Sequence, residues 1–254
     1  MKTLDLNNPF GAPIYHTETL SSTMDAARDL AARDEAHGTV ISADFQESGR
    51  GRLGRPWLME RGKNLIFTIL LRYDNFSSIP AALTLKTGLA VSLAVEDLVP
   101  ALAGNVKIKW PNDIMLGGRK TAGILSEGDG KNVFIGVGVN VTQSDFNGEF
   151  RSKAGSIIHA CPDLSRDARF TLLELILSHL HDEIEKPNND WRERLLARLY
   201  KKGETVIFAE GPADSSKIIT GILSGIGPGG ELLIIPDGEQ EERAFFNGEL
   251  RVYS

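Results

Sequence analysis

Gly49-Arg50-Gly51-Arg52-Leu53-Gly54-Arg55-Pro56-Trp57 contains a G-x-G-x-x-G, yet only ten residues separate Gly54 from the apolar run that opens at Leu65. Pro56 and Gly62 interrupt those ten. A dinucleotide-binding βαβ unit needs a helix directly after its glycines, because the helix N-terminus holds the pyrophosphate. No crossover helix fits here, and no Gly-Lys-Ser/Thr follows to make a Walker A loop. The chain must build some other architecture around a loop that interleaves glycines with arginines. Glycines free the backbone to present successive N–H groups to an anion, and arginines add forked donors suited to phosphate or carboxylate.

The surrounding patterns read as an irregular mixture. Ile14–Thr19 alternates like a strand and runs into Ser22, a good N-cap, with Asp25 three residues later supporting a capping arrangement. Met24, Ala27, Leu30 and Ala31 then mark a helix ending near His37-Gly38. Strands are expected at 39–45 and 65–72, and a long apolar helix at 81–99, ended by Pro100. From Val106 the pattern becomes short strands at 106–110, 114–116, 121–127 and 133–141, with Gly117-Gly118 as a two-residue hairpin signal. Helices at 171–186 and 190–201, divided by Pro187-Asn188-Asn189, precede a last stretch with nine glycines in residues 203–254. Its alternating runs at 205–208, 218–223, 232–235 and 245–252 read as a small β domain of barrel type. The expected class is α+β, divided into 1–202 and 203–254.

Composition closes off several alternatives. The formal charge of −6 over 254 residues argues against a general nucleic-acid binder, leaving only local basic loops. A single cysteine, Cys161, excludes a disulfide framework and a cysteine-built zinc site. No stretch approaches 18 uninterrupted apolar residues, and the first residues lack the apolar core of a signal peptide, so a cytoplasmic protein without a membrane span is expected. His16, His37, His159, His179 and His181 form no ligand set, since His179 and His181 point apart on a helix.

Two further segments carry chemistry. In Val106-Lys107-Ile108-Lys109-Trp110 the two lysines share one strand face, and Pro111-Asn112-Asp113 breaks the strand. An Asn-Asp pair at a strand-ending turn suits Mg²⁺ or a nucleotide, and equally an Asx-type turn. The Gly-Gly hairpin then returns Lys120 towards Asp113, where a lysine neutralises a carboxylate or phosphate oxygen as a point charge.

Together these segments resemble the biotin protein ligase family. The resemblance is carried by Ser22-Thr23, Gln46 with Gly49–Trp57, Lys109–Asp113, Arg119-Lys120-Thr121-Ala122-Gly123-Ile124-Leu125, and Gly136-Val137-Gly138-Val139-Asn140-Val141, in the family's order. Phe246–Val252 resembles the end of the family's C-terminal domain. The resemblance implies a class II aminoacyl-tRNA synthetase-like catalytic domain with a C-terminal SH3-like small β-barrel. It implies an enzyme that uses ATP with Mg²⁺ to make biotinyl-5′-AMP and then transfers biotin to a lysine of a biotin carboxyl carrier protein.

By the same resemblance, Ser22, Thr23, Gln46, Arg50, Gly51, Arg52 and Lys120 bind biotin. Arg52, Arg55, Trp57, Lys109, Asn112 and Asn140 lie on the ATP side, and Asp113 and Asn140 on the metal. Arg50, Lys120 and Asp113 are the expected catalytic groups, with Asp113 assisting loss of the acceptor lysine's proton. Met24 stands where the family commonly has Asn. About 20 residues precede Ser22, too few for the winged helix of repressor-type members, so no DNA-binding role is expected. The competing expectations are a lipoate–protein ligase and a catalytically silent ligand- or nucleic-acid-binding relative.

Overall fold

The computed structural model describes residues 1–146, 153–186, 190–211 and 216–251. Its centre is an eight-stranded sheet of β1 (Lys2–Thr3), β2 (Ile14–Thr17), β3 (Thr39–Ala43), β4 (Asn64–Arg72), β5 (Lys107–Lys109), β6 (Asp113–Leu116), β7 (Arg119–Gly128) and β8 (Asn132–Asn140). The spatial order is β1-β2-β3-β4-β8-β7-β6-β5. Only β2 and β3 run parallel, joined by α1 (Thr23–Ala32); the other neighbours are antiparallel. Gly117 and Gly118 take φ of 57° and 75°, the left-handed values a two-residue hairpin between β6 and β7 demands.

Strand alternation gives the sheet two different faces. Phe67, Ile69, Leu71, Ile135 and Val137 point to the face covered by α2 (Leu83–Leu98) and α3 (Ala168–Glu185). Leu70 and Phe134 point the other way, onto Met24, Ala27 and Leu30 of α1. The α1 side is thinly covered, and the site lies there.

Phe76–Leu98 reaches the length and mean hydropathy, 1.5, of a membrane span. Here its helical core packs between sheet and α3, with Leu89, Ala90, Val91 and Ala94 fully buried.

Three boundaries differ from the sequence reading. Ser22 caps α1 as expected, its Oγ accepting from Met24 N at 3.2 Å, but the helix stops at Ala32 because Asp34 turns left-handed at φ 62°. The helix expected at 190–201 is α4 (Trp191–Arg198), since Leu199 becomes extended and bridges to Ile108. Pro187-Asn188-Asn189, expected to divide α3 from α4, lies outside the described residues.

The third difference is at the C-terminal end. The run 245–252 splits into β12 (Arg243–Phe245) and β13 (Glu249–Arg251), and Val252 lies outside the described residues. Between them Gly248, at φ 136°, passes so close to Phe208 that any Cβ would overlap its ring, and the chain changes partner there. With β9 (Thr205–Glu210), β10 (Lys217–Ile226) and β11 (Leu232–Pro236) they form a sheet ordered β12-β11-β10-β9-β13. It is a five-stranded antiparallel sheet, and among the described residues no ladder joins β12 to β13. Phe208, Leu223, Leu232, Phe245 and Leu250 belong to the same apolar cluster as the large sheet and α2.

Two ion pairs fasten α4 to the helical layer. Arg198 meets Glu96 of α2 at 2.7 Å, and Arg194 meets Glu183 of α3 at 2.8 Å. Burial pushes the Glu183 carboxyl above the ordinary glutamate range while Arg194 pulls it back. A carboxyl raised in the folded state binds its proton more tightly there than in the unfolded chain. Its contribution therefore favours folding at low pH and weakens as pH rises through the raised value. Arg194→Ala, which leaves Glu183 buried without its cation, is expected to cost about 3–5 kcal/mol at neutral pH. The deficit should shrink on acidification and with Glu183→Gln as a second change; chemical unfolding at several pH values checks it, and a pH-independent deficit would contradict it.

Candidate active site

On the α1 side, β8 presents Phe134, Gly136, Gly138 and Asn140 in alternation, while the neighbouring β7 presents Gly123 directly opposite Gly138. The result is a strip of bare backbone. A Cβ at Gly138 would come within 2.8 Å of Trp57 Cε2, one at Gly123 within 3.1 Å of Trp57 Cζ3, and one at Gly136 within 3.0 Å of Met24 Sδ. The strip exists because three positions on one face have no side chain. Trp57 lies against it, with its indole N–H buried and unpartnered among the described residues.

The flank of this trough is a chain of hydroxyls and an amide. Thr68 of β4 donates to Thr23 Oγ1 at 2.9 Å, and Thr23 donates from both its hydroxyl (2.9 Å) and its backbone N–H (2.7 Å) to Gln46 Oε1. All three residues are buried. Ser22 Oγ, besides capping α1, accepts from Arg50 Nη1 at 3.3 Å.

The arginine–glycine loop folds back on itself. Gly51 N–H donates to Arg55 C=O (2.8 Å) and Trp57 N–H to Gly49 C=O (2.9 Å), which aims three arginines from one short hairpin. Arg50 forms a two-pronged pair with Asp25 at 2.6 and 2.9 Å, and this holds the Asp25 carboxyl below its usual range. Asp25 is thus the partner of Arg50 and not the capping group expected from its spacing. Arg52 donates to Asn112 Oδ1 at 3.2 Å. Arg55 reaches the C-terminal sheet, pairing with Glu249 at 2.8 and 2.9 Å and lowering that carboxyl, with Lys109 and Arg52 adding to the effect.

At the far end of the strip the hairpin closes as the sequence suggests. Lys120 Nζ meets Asp113 Oδ1 at 2.6 Å and stands 5.8 Å from the centre of the Trp57 ring. Lys109 is buried beside them; burial lowers its ammonium pKa, opposed by Asp113 and Glu249. Asn112 is locked onto β7, its Nδ2 donating to Ile124 C=O while its own C=O accepts from Ile124 N–H, both at 2.9 Å. Asn140 donates to Gly155 C=O at 2.9 Å, leaving its buried Oδ1 unpartnered among the described residues. A cavity of about 200 Å³ opens beside Arg52 and Asn112, bordered by Trp110, Ser126, Phe246 and Asn247.

Five cations, Arg50, Arg52, Arg55, Lys109 and Lys120, and three carboxylates, Asp25, Asp113 and Glu249, therefore gather around a glycine strip that Trp57 and Met24 cover. The family model for biotin/lipoate A/B protein ligases matches residues 17–140, the segment that builds this trough. A biotin–[acetyl-CoA-carboxylase] ligase of Paracoccus denitrificans is 32% identical over 229 residues, covering 82% of this chain and 90% of that protein. The chain belongs to the biotin protein ligase family.

The bifunctional ligase/repressor of Bacillus subtilis is 39% identical over 155 residues, covering 58% of this chain and 46% of that protein. The chain thus spans about half the length of the first curated relatives it matches. Among solved structures, a biotin protein ligase from Aquifex aeolicus in complex with biotin and ATP superposes with a TM-score of 0.77 at 28% identity, covering 94% of this chain and 98% of that one. That likeness assigns the class II synthetase-like α+β architecture.

The residues expected at the site fall into one continuous region. Sequence reasoning assigned no part to Gly123, Gly136 and Gly138, although the Gly-x-Gly alternation at 136–138 already announced a strand face without side chains. It also assigned none to Thr68 or Glu249, which become visible only through register and tertiary contact. Among the described residues no group of three His, Cys, Asp or Glu is placed to hold a metal by itself. Gly138→Ala is expected to fold normally but to displace Trp57, red-shifting its emission and making residues 49–57 more sensitive to protease. Unchanged emission and cleavage would show that the trough tolerates a methyl group.

Proposed function

We propose that this protein activates biotin as biotinyl-5′-AMP with ATP and transfers the biotinyl group to a lysine of a biotin carboxyl carrier protein. The observation that carries this reading is the glycine strip beneath Trp57 and Met24, flanked by the Thr68–Thr23–Gln46 hydrogen bonds and by the Lys120–Asp113 pair, with the loop arginines beside it. The named relatives favour biotin over lipoate as the acid. The reading places the protein in the cytoplasm, with 1–202 as the catalytic unit and 203–254 as the small β unit.

In this reading Ser22, Thr23, Gln46 and Gly51 hold the ring end and loop side of biotin. Arg50, Arg52 and Lys120 hold its carboxylate and the adenylate it becomes. Arg55, Trp57, Lys109, Asn112 and Asn140 serve the nucleotide. Attack of a carboxylate on the α-phosphorus brings two anions together, and fixed cations at that point lower the barrier. The partners of Arg50 and Arg55 are exposed carboxylates, so the pairs are weak enough to be exchanged for substrate oxygens.

Mg²⁺ is a hard cation that takes one or two protein oxygens and completes its shell with phosphates and water. The Asp113 carboxylate and the free Oδ1 of Asn140 suit that donor set. When bound it would offset polyphosphate charge.

In the second half-reaction the acceptor ammonium, with an ordinary pKa near ~10.4, must lose a proton before its nitrogen attacks the acyl carbon. Asp113 is the proposed acceptor of that proton, held in place by Lys120. Wild-type protein is expected to catalyse biotin-dependent ATP–pyrophosphate exchange, and no exchange would overturn the reading. Asp113→Asn, supplied with preformed biotinyl-5′-AMP so that adenylation is bypassed, should slow transfer by roughly 100-fold. Transfer at the wild-type rate would remove Asp113 from that role.

A further inference from the structure

Trp110 ends the strand that carries Lys109 and leads directly into Pro111-Asn112-Asp113, yet its own contacts are with the C-terminal sheet. The side chain is 3% exposed. Its indole N–H donates to Gly230 C=O at 3.0 Å, and its ring meets Phe208 edge-on at 5.9 Å. Gly230 belongs to a tight turn in which Gly230 N–H donates to Gly227 C=O (3.1 Å) and Gly227 N–H to Glu231 C=O (2.8 Å). It sits at φ 92°, and a Cβ there would come within 2.8 Å of Ala82 Cβ at the start of α2. The turn is therefore wedged between Trp110 and α2. From the other side, Asn112 is held by Ile124 of β7 and by Arg52. The Pro-Asn-Asp turn is clamped between two elements, one in each sheet.

We propose that the turn Gly227–Glu231, acting through the Trp110 indole, is a positioning element for Asn112 and Asp113, so that the C-terminal sheet sets the geometry of adenylation without touching the reacting atoms. The proposal rests on the nucleotide-side roles assigned above to those two residues. Two physical points carry it. A buried N–H and C=O pair is costly to leave unmade, so the link holds its geometry. Displacements of about 1 Å in a reacting group cost orders of magnitude in rate. Ser22, Thr23 and Gln46, by contrast, sit at α1 and the end of β3, away from the clamp.

The test uses the full chain with Trp110→Phe, which keeps a ring against Phe208 but removes the donor, and with Gly230→Ala, which leaves Trp110 intact and pushes the turn off α2. Two quantities are compared: biotin affinity by calorimetry without ATP, and kcat/KM for ATP in pyrophosphate exchange, normalised to active sites counted from the adenylate burst. The proposal expects a loss of roughly tenfold or more in normalised kcat/KM for ATP and a distinctly smaller loss in biotin affinity, since Asn112 and Asp113 also hold Arg52 and Lys120. Gly230→Ala keeps the test alive should Trp110→Phe fail to fold. Normalised kcat/KM within twofold of wild type, or biotin affinity falling in parallel with it, would overturn the proposal. A wild-type protein without exchange would instead remove the functional reading on which it rests.

Discussion

Gly123 and Gly138 face each other across the β7–β8 ladder, and the rest of the site depends on that register. A slip of one residue would turn valine and alanine side chains into the trough and send the glycines into the core beneath α2. The register is secured on the buried face, where Ala122, Ile124, Val137 and Val139 pack into the main cluster. Core packing on one side of the sheet thus determines the absence of side chains on the other. Trp57 and Met24 then take positions that only a bare floor permits.

The second constraint is electrostatic. A chain of net charge −6 gathers Arg50, Arg52, Arg55, Lys109 and Lys120 around this strip. Each of the three arginines has a defined acceptor, in Asp25, Asn112 and Glu249, and Lys120 has Asp113. These partners come from α1, the Pro-Asn-Asp turn and the C-terminal sheet, so the loop is oriented by three separate elements. Burial lowers the Lys109 ammonium below its ordinary value, against the pull of Asp113 and Glu249. The C-terminal sheet contributes Glu249 to this set and Gly230 to the clamp on Trp110, and it shares its apolar core with the large sheet. It is part of the site's framework.

Much of this was legible in the residues. The apolar run from Leu65 marked β4, the run 133–141 marked β8, the Gly-Gly pair marked the β6–β7 hairpin, and the spacing from Asp113 to Lys120 foretold a contact that the fold makes at 2.6 Å. What stayed hidden was whatever depends on tertiary pairing. Asp25 has capping spacing, but a two-pronged arginine outcompetes the local backbone for its carboxylate. Residues 245–252 look like one strand because periodicity does not record that Gly248 must cross Phe208 and change partner. Leu199 reads as helical until its bridge to Ile108 draws the chain out of α4. The order of the C-terminal sheet is likewise set by which short strands meet, and local pattern carries no information about that.

The proposed role of the glycine strip and its cations is to join biotin to a protein lysine. The most direct measurement is the intact mass of an apo carrier domain after incubation with this protein, biotin and MgATP, beside an identical reaction without ATP and one with lipoate in place of biotin. The expected result is a gain of one biotinyl group on the carrier, dependent on ATP and absent with lipoate. A competent carrier that gains no mass, or gains it equally from lipoate, would contradict it.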